Sequence, residues 1–334
     1  MKSKIKLGVS LYSYQDEFLR RDMNLKDCIE AVSDMGATGI ELLPDEMIRD
    51  CYNISDDFIN QWKEWMTEFG TVPVAIDGFC DERGLWKKQG HEPTLEDALF
   101  VQKRYLEIAD KLGVKYIRTQ INDMDLLRKM VPLAEEKDII LCLEVHAPLR
   151  ISDQIIQDWV ELKDELGTNH LGLIPDFGIF EQQSTPVILR QCIRDGMSEA
   201  VINEAAEKKA LGWSFEEARD YFTKQNVTSG DLDGVWRVYN VNPEDPEELR
   251  KLMPYVIGFH GKFWNMLDDM SEESINYKEP LRVILESGFE GFICSEYEGG
   301  RHIQDIEEVR GVEQVRRHHV MLRNLIEELE NEIQ

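Results

Sequence analysis

Apolar and β-branched residues gather in eight short runs, at 5–13, 38–43, 71–77, 114–121, 139–146, 171–177, 256–264 and 290–296. Runs of this length, bounded by polar or glycine positions, predict buried strands. Between them apolar residues recur at three-and-four spacing, as in NLKDCIEAVSDMG, DFINQWKEWMTEFG, TLEDALFVQKRYLEIADKLG and ISDQIIQDWVELKDELG, which predicts amphipathic helices. Several of these segments stop at a glycine (Gly36, Gly70, Gly113, Gly167, Gly288), the residue best suited to the left-handed turn that ends a helix. Strand then helix, repeated eight times, predicts an α/β fold: a single (β/α)8 TIM-barrel domain spanning 1–334.

The rhythm breaks once, over 180–254. There TPVILRQCIRDG, MSEAVINEAAEKKALG, SFEEARDYFTKQN and DPEELRKLMPY read as several short helices where one crossover helix would suffice. This predicts a helical insertion between strands 6 and 7, on the C-terminal face or flank where barrel loops build active sites and partner surfaces. The last helix, VEQVRRHHVMLRNLIEELENEIQ, is expected to close the barrel.

Charge narrows the partners. With 65 acidic against 38 basic residues and a formal charge of -27, the surface repels phosphate backbones and anionic lipid, so neither nucleic acid nor a membrane is expected as a partner. The start MKSKIKLGVSLYSY has no long apolar stretch or small-residue cleavage site, and a cytoplasmic location is expected. Six cysteines (28, 51, 80, 142, 192, 294) lie far apart without a CxxC pair, which predicts reduced, buried thiols.

The chemistry begins in LCLEVHAPL. Strand side chains alternate faces, so Glu144 and His146 share one face while Leu143 and Val145 share the other. The apolar set suits the outer helices, which turns Glu144 and His146 into the lumen near the strand's C-terminal end, just before Pro148. Three later strands end similarly: Asp176 in LGLIPDFG, His260 in VIGFHGKFW and Glu296 in FICSEYEGG. Neighbouring strands are about 4.8 Å apart, so these four side chains can meet. Three carboxylates buried together repel and take up protons unless a cation joins them. Oxygen-rich ligation with one imidazole suits a single divalent ion, Mn²⁺ first, with Mg²⁺ or Co²⁺ as alternatives.

His146 is left over beside this cluster, and a neutral imidazole there can act as the general base. Arg118 and Gln120 share a face of strand 4, and Lys262 follows His260 by two positions; these three are expected to bind substrate hydroxyls or an enediolate. Glu41, closing strand 2 in GIELLP, reads equally as a site residue or a structural acid. The segment FCDERGLWKKQGHEP, with Trp86 and His91, reads either as a lid or as a surface loop.

With these residues in place the chain resembles the xylose isomerase-like superfamily of sugar isomerases and epimerases, in which Glu, Asp, His and Glu on the last four strands hold one divalent metal. The matching residues are Glu144 in LCLEVH, Asp176 in LIPDFG, His260 in GFHGKF and Glu296 in CSEYEG, and the opening GVSLYSY and the GIEL run are similar too. Ketose epimerases of that superfamily carry a histidine shortly after the metal-binding Asp, where this chain has PDFGIFEQ, and they lack both the EVH histidine and so long an insertion. The combination of EVHAP, HGKFW and the insertion resembles instead the large subunits of bacterial C-glycoside deglycosidases.

That resemblance implies a metal-dependent lyase. Such subunits pair with a small β subunit in a hetero-oligomer and cleave the carbon–carbon bond between a 3-oxo-sugar and its aromatic aglycone. His146 would take the C2 proton of the 3-oxo-C-glycoside substrate, and β-elimination would follow. A sugar isomerase or epimerase working through an enediolate is the alternative outcome of the same site. Apurinic endonucleases share the barrel but need a basic face and a histidine-rich zinc set; the net charge and only seven histidines weigh against them. A non-catalytic binding barrel is the reading if no metal binds.

Overall fold

The computed structural model describes residues 3–78, 90 and 94–333. Each of the eight apolar runs forms a strand: β1 (Lys6–Ser10), β2 (Gly39–Leu42), β3 (Val72–Asp77), β4 (Tyr116–Thr119), β5 (Ile140–Val145), β6 (Leu171–Pro175), β7 (Phe259–Phe263) and β8 (Phe292–Tyr297). The strands pair in the order β6-β5-β4-β3-β2-β1-β8-β7, every ladder parallel. Isolated parallel bridges, Leu173 with Val256 and Asp176 with His260, join the two remaining edges along a seam between β6 and β7. The sheet is thereby a nearly closed TIM barrel.

The alternation read from β5 decides what faces the site. Leu141, Leu143 and Val145 lie in the large apolar layer between sheet and helices, whereas Cys142 packs in the lumen with Val74, Ala75, Tyr116, Ile174 and Cys294. Glu144, two positions after Cys142, therefore looks inward. Helices fill the outer layer. Asn24 and Thr94 form capping boxes at the starts of Leu25–Asp34 and Leu95–Leu112, satisfying backbone N–H groups that a helix cannot. Trp62 and Trp159 each anchor a helix by donating Nε1–H at 3.1 Å to the carbonyls of Leu112 and Ile121.

Between β6 and β7 lie the helices Pro186–Arg194, Glu199–Ala210, Phe215–Lys224 and Ser229–Tyr239. They share a small core of their own, with Cys192, Ile202, Ala205, Phe222 and Val235 fully or almost fully buried. Two details differ from the sequence expectation. The segment 229–239, SGDLDGVWRVY, is helical despite two glycines, because Thr228 and Asp231 cap it and Gly234 lets it press against Ile202 and Met197. The segment expected as one helix near DPEELRKLMPY instead breaks into the short turns Pro246–Glu248, Leu249–Leu252 and Met253–Tyr255, since Pro254 interrupts the helical hydrogen bonding.

The helix Gly311–Ile333 packs its two histidines inward. His318 exchanges hydrogen bonds with Ser295 Oγ and Tyr277 Oη, both at 2.8 Å, and stacks on Phe263; His319 lies 3.2 Å from the Gly8 carbonyl. Both are core residues; His318 has both ring nitrogens paired, whereas His319 Nδ1 is buried without a hydrogen-bond partner. Among the described residues the five cysteines 28, 51, 142, 192 and 294 are free and buried, and no helix is long and apolar enough to cross a membrane. Cys80 and the expected lid residues Trp86 and His91 lie outside the described residues.

Candidate metal centre and adjoining cavity

Strand ends bring Glu144, Asp176, His260 and Glu296 together at the C-terminal mouth of the barrel. One potential ligand atom from each lies within 4.8 Å of the others, and all four side chains are buried. Asp176 and His260 are bridge partners across the seam, so barrel closure itself sets their spacing. Asp176 accepts the Gly178 N–H at Oδ1, 2.5 Å away. A Cβ on Gly178 would fall 2.6 Å from that oxygen and 2.9 Å from Lys262 Cδ, so only glycine fits there.

The electrostatics of the cluster are unbalanced. Burial pushes the Asp176 carboxyl well above the usual range, and Glu296 and Glu144 add to the rise although Lys262 opposes it. Glu296 is raised by burial and by Glu144. Glu144 is held down: burial would raise it, but Arg118 and His260 outweigh that. Asp176 Oδ2 and Glu296 Oε2 are buried without a hydrogen-bond partner. A divalent cation among three carboxylates and an imidazole resolves both the repulsion and the orphaned oxygens, so the donor set fits such an ion.

His260 is oriented from behind. Its Nε2 lies 2.7 Å from Glu41 Oε1, while Nδ1 lies 2.7 Å from Glu144 Oε1 and 3.6 Å from Glu296 Oε2. Glu41 and His260 are accompanied by Asp77 at the end of β3, which burial raises well above its usual range. Arg118 reaches into this buried group: it pairs with Glu144, and its Nε lies 3.9 Å from Asp77 Oδ1.

Beside the cluster opens a cavity of about 220 Å³ between the barrel mouth and the insertion. His146, Glu181, Lys262, Trp264 and, from the helix Ser229–Tyr239, Trp236 and Arg237 line it. Lys262 Nζ donates to His146 Nε2 at 2.7 Å and pairs with Glu298 Oε1 at 3.2 Å. Burial, with Lys262 adding to it, lowers His146 to about 4, so the imidazole is neutral at physiological pH. Glu298 is tied further to Arg301 at 2.7 Å and accepts from Tyr12 Oη at 3.3 Å.

Not every expected substrate-binding residue shares this cavity. Lys262 does; Arg118 is almost fully buried and committed to carboxylates; Gln120 lies past the end of β4 and is exposed. The strand ends too early for the expected shared face of Arg118 and Gln120 to bring both into the site. Sequence reasoning missed Asp77, Glu181 and Glu298. Asp77 closes β3 as Glu41 closes β2, and Glu298 follows Glu296 by two positions, so strand-end placement could have found both. Glu181 carries no such signal.

A model of the family described as xylose isomerase-like TIM barrel matches residues 29–324. The chain belongs to the xylose isomerase-like TIM-barrel family. Within this family setting, the C-glycoside deglycosidase alpha subunit of Arthrobacter globiformis is 29% identical over 333 residues, 98% of this chain and 94% of that relative. The 3'-dehydrocarminate deglycosidase alpha subunit of a Microbacterium species is 27% identical over 313 residues, covering 88% of each. The crystal structure of a D-psicose 3-epimerase in the presence of D-fructose superposes with a TM-score of 0.58 at 13% identity, covering 96% of this xylose isomerase-like chain and 99% of the epimerase. At that identity the likeness speaks for the fold alone.

Proposed function

We propose that the protein is a metal-dependent lyase that cleaves the carbon–carbon bond of a 3-oxo-C-glycoside, as the catalytic subunit of a C-glycoside deglycosidase. One observation carries this reading. The three-carboxylate, one-imidazole cluster of Glu144, Asp176, Glu296 and His260 sits beside a neutral histidine, His146, that lines an open cavity with Lys262. The names of relatives aligned over most of the chain support the same reaction class.

Glu144, Asp176, His260 and Glu296 would hold one divalent ion, Mn²⁺ by the hardness of its donors, with Mg²⁺ or Co²⁺ accepted by the same set. When bound, such an ion supplies fixed positive charge beside a sugar ketone oxygen. Glu41 fixes the ring of His260 so that Nδ1 faces the cluster. A ketone at C3 acidifies the neighbouring C2 hydrogen, and His146 takes it as a proton. In the free protein the His146 Nε2 lone pair is covered by Lys262 Nζ–H. A sugar oxygen that accepts the Lys262 hydrogen bond in its place uncovers that lone pair. Loss of the group at C1 then forms the C1=C2 double bond and restores the ketone.

The same reading places the protein in the cytoplasm, in a hetero-oligomer with a small β subunit. The test is the manganese-loaded protein incubated with the 3-oxo-C-glucoside of a polyphenol, with and without a small partner subunit. Aglycone release that is lost on chelation supports the proposal. Epimerisation of a ketose without aglycone release replaces it with the epimerase reading.

A further inference from the structure

Resting on the deglycosidase reading, we propose that Glu181 is the proton donor to the aglycone, the acid that completes the elimination begun at His146. The need for such a group follows from the chemistry. When the C1–aryl bond breaks, its electron pair stays on the ring carbon, and an aryl carbanion is far too basic to depart without a proton. In the balanced step the C2 proton passes to His146 and the enolate electrons form C1=C2 as the C3 ketone is restored. The bonding pair of C1–aryl takes the proton of the Glu181 carboxyl. The products are an enone sugar and the intact arene, with no oxidant or reductant involved.

The geometry singles out Glu181: among the described residues no other Asp or Glu lines the cavity, Glu298 and Glu272 lying outside its lining. Its backbone follows directly on the turn Phe177–Phe180 that starts from Asp176, and it is pinned to the segment after β7. Glu181 bridges Ile275, Gln182 N–H donates to the Ser274 carbonyl at 2.8 Å, and Asn276 N–H donates to the Phe180 carbonyl at 3.1 Å. This rigid placement sets Glu181 in the wall that also holds His146 and Lys262, beside Trp236 and Trp264, whose flat faces suit an aromatic aglycone.

The other carboxyls are committed. Glu298 pairs with Lys262 Nζ at 3.2 Å and with Arg301 at 2.7 Å. Glu272 accepts from Ser274 N–H, Ser274 Oγ and Ile275 N–H at 2.7, 2.8 and 2.5 Å. The charged groups facing Glu181 are Lys262 from β7, Glu272 from the segment after it and Lys209 from the helix Glu199–Ala210. Burial, reinforced by Glu272 and opposed by Lys262, lifts the Glu181 carboxyl to about 7, so a proton is at hand near neutrality.

The experiment compares Glu181→Gln with the parent enzyme, both manganese-loaded and with the small partner subunit present, by three rates. These are aglycone release from a 3-oxo-C-glucoside, deuterium wash-in at C2 of recovered substrate in D2O, and cleavage of 3-oxo-nitrophenyl-glucoside, whose phenolate leaves without a proton. The variant is expected to lose C-glycoside cleavage about 10²- to 10⁴-fold while retaining C2 exchange and nitrophenolate release. A parallel loss of all three rates overturns the donor role in favour of a structural one, and no loss in any overturns it outright. A parent enzyme that cleaves neither glucoside nor exchanges C2 sinks the deglycosidase reading and the donor with it. Should Glu181→Gln fail to fold, Glu181→Asp is read by the same three rates, with the same selective pattern expected.

Discussion

The Nε2 atom of His260 lies 2.7 Å from Oε1 of Glu41, and both side chains are completely shielded from solvent. This contact fixes the rotation of a ring whose other nitrogen points into the acidic cluster. Carboxylates placed behind metal-binding histidines in this way contribute about 10- to 100-fold in metal affinity. Glu41→Ala is therefore expected to weaken Mn²⁺ binding by about that factor, measured by calorimetric titration of the chelator-treated protein. Unchanged affinity would detach Glu41 from the site.

Arg118 is engaged with the buried acids at the barrel mouth. It lies among Glu144, Asp77 and their neighbours with almost no exposure, so truncating it strands buried negative charge. Arg118→Met is expected to cost about 3–5 kcal/mol of folding stability, read from denaturant midpoints of the metal-free protein. Exposed Gln120 provides the contrast: Gln120→Ala should change stability by no more than about 0.5 kcal/mol.

His146 contributes no ligand atom to the cluster and is engaged by Lys262. His146→Ala should leave Mn²⁺ stoichiometry and affinity intact while turnover drops about 10²- to 10⁴-fold. Metal analysis beside the cleavage assay checks both halves.

Protonation of Glu181 gives the reaction a pH signature. Its pKa is raised to about 7 from 4.5, and it acts in the protonated form, so cleavage is full below neutrality and falls as pH rises through about 7. The stability effect has the same sign, because the folded state binds this proton more tightly than the unfolded chain. Its contribution is complete below about 4.5 and is lost as pH rises to about 7. In Glu181→Gln the alkaline decline in residual cleavage should vanish; a decline that persists assigns it to another group.

Gly178 is required by the crowding of Asp176 and Lys262. Gly178→Ala should lower Mn²⁺ affinity and turnover together, with far-ultraviolet circular dichroism unchanged.

Much of the barrel was legible because burial on both sheet faces forces short continuous apolar runs, and because inward acids such as Glu144 break the pattern only at strand ends. His260 and Glu296 could be paired with Glu144 for that reason alone. The helix 229–239 was not legible: Gly230 and Gly234 argue against a helix locally, and its stability comes from packing on Ile202 and from the Thr228–Asp231 cap. The ion pairs of Arg118 were not legible because a side chain's inward direction does not reveal which acids already surround it. Glu181 stayed hidden because nothing periodic marks the turn that holds it, and only the fold shows which cavity it lines.

The insertion departs just after β6 and rejoins just before β7, the two strands joined only by isolated bridges at Leu173–Val256 and Asp176–His260. Among the described residues its attachment points thus straddle the weakly laced join of the cylinder, and two members of the acidic cluster, Asp176 and His260, form one of its two bridges. The spacing of Asp176 and His260 is therefore fixed by how the cylinder shuts rather than by a continuous ladder, so the acidic centre and barrel closure are one structural event.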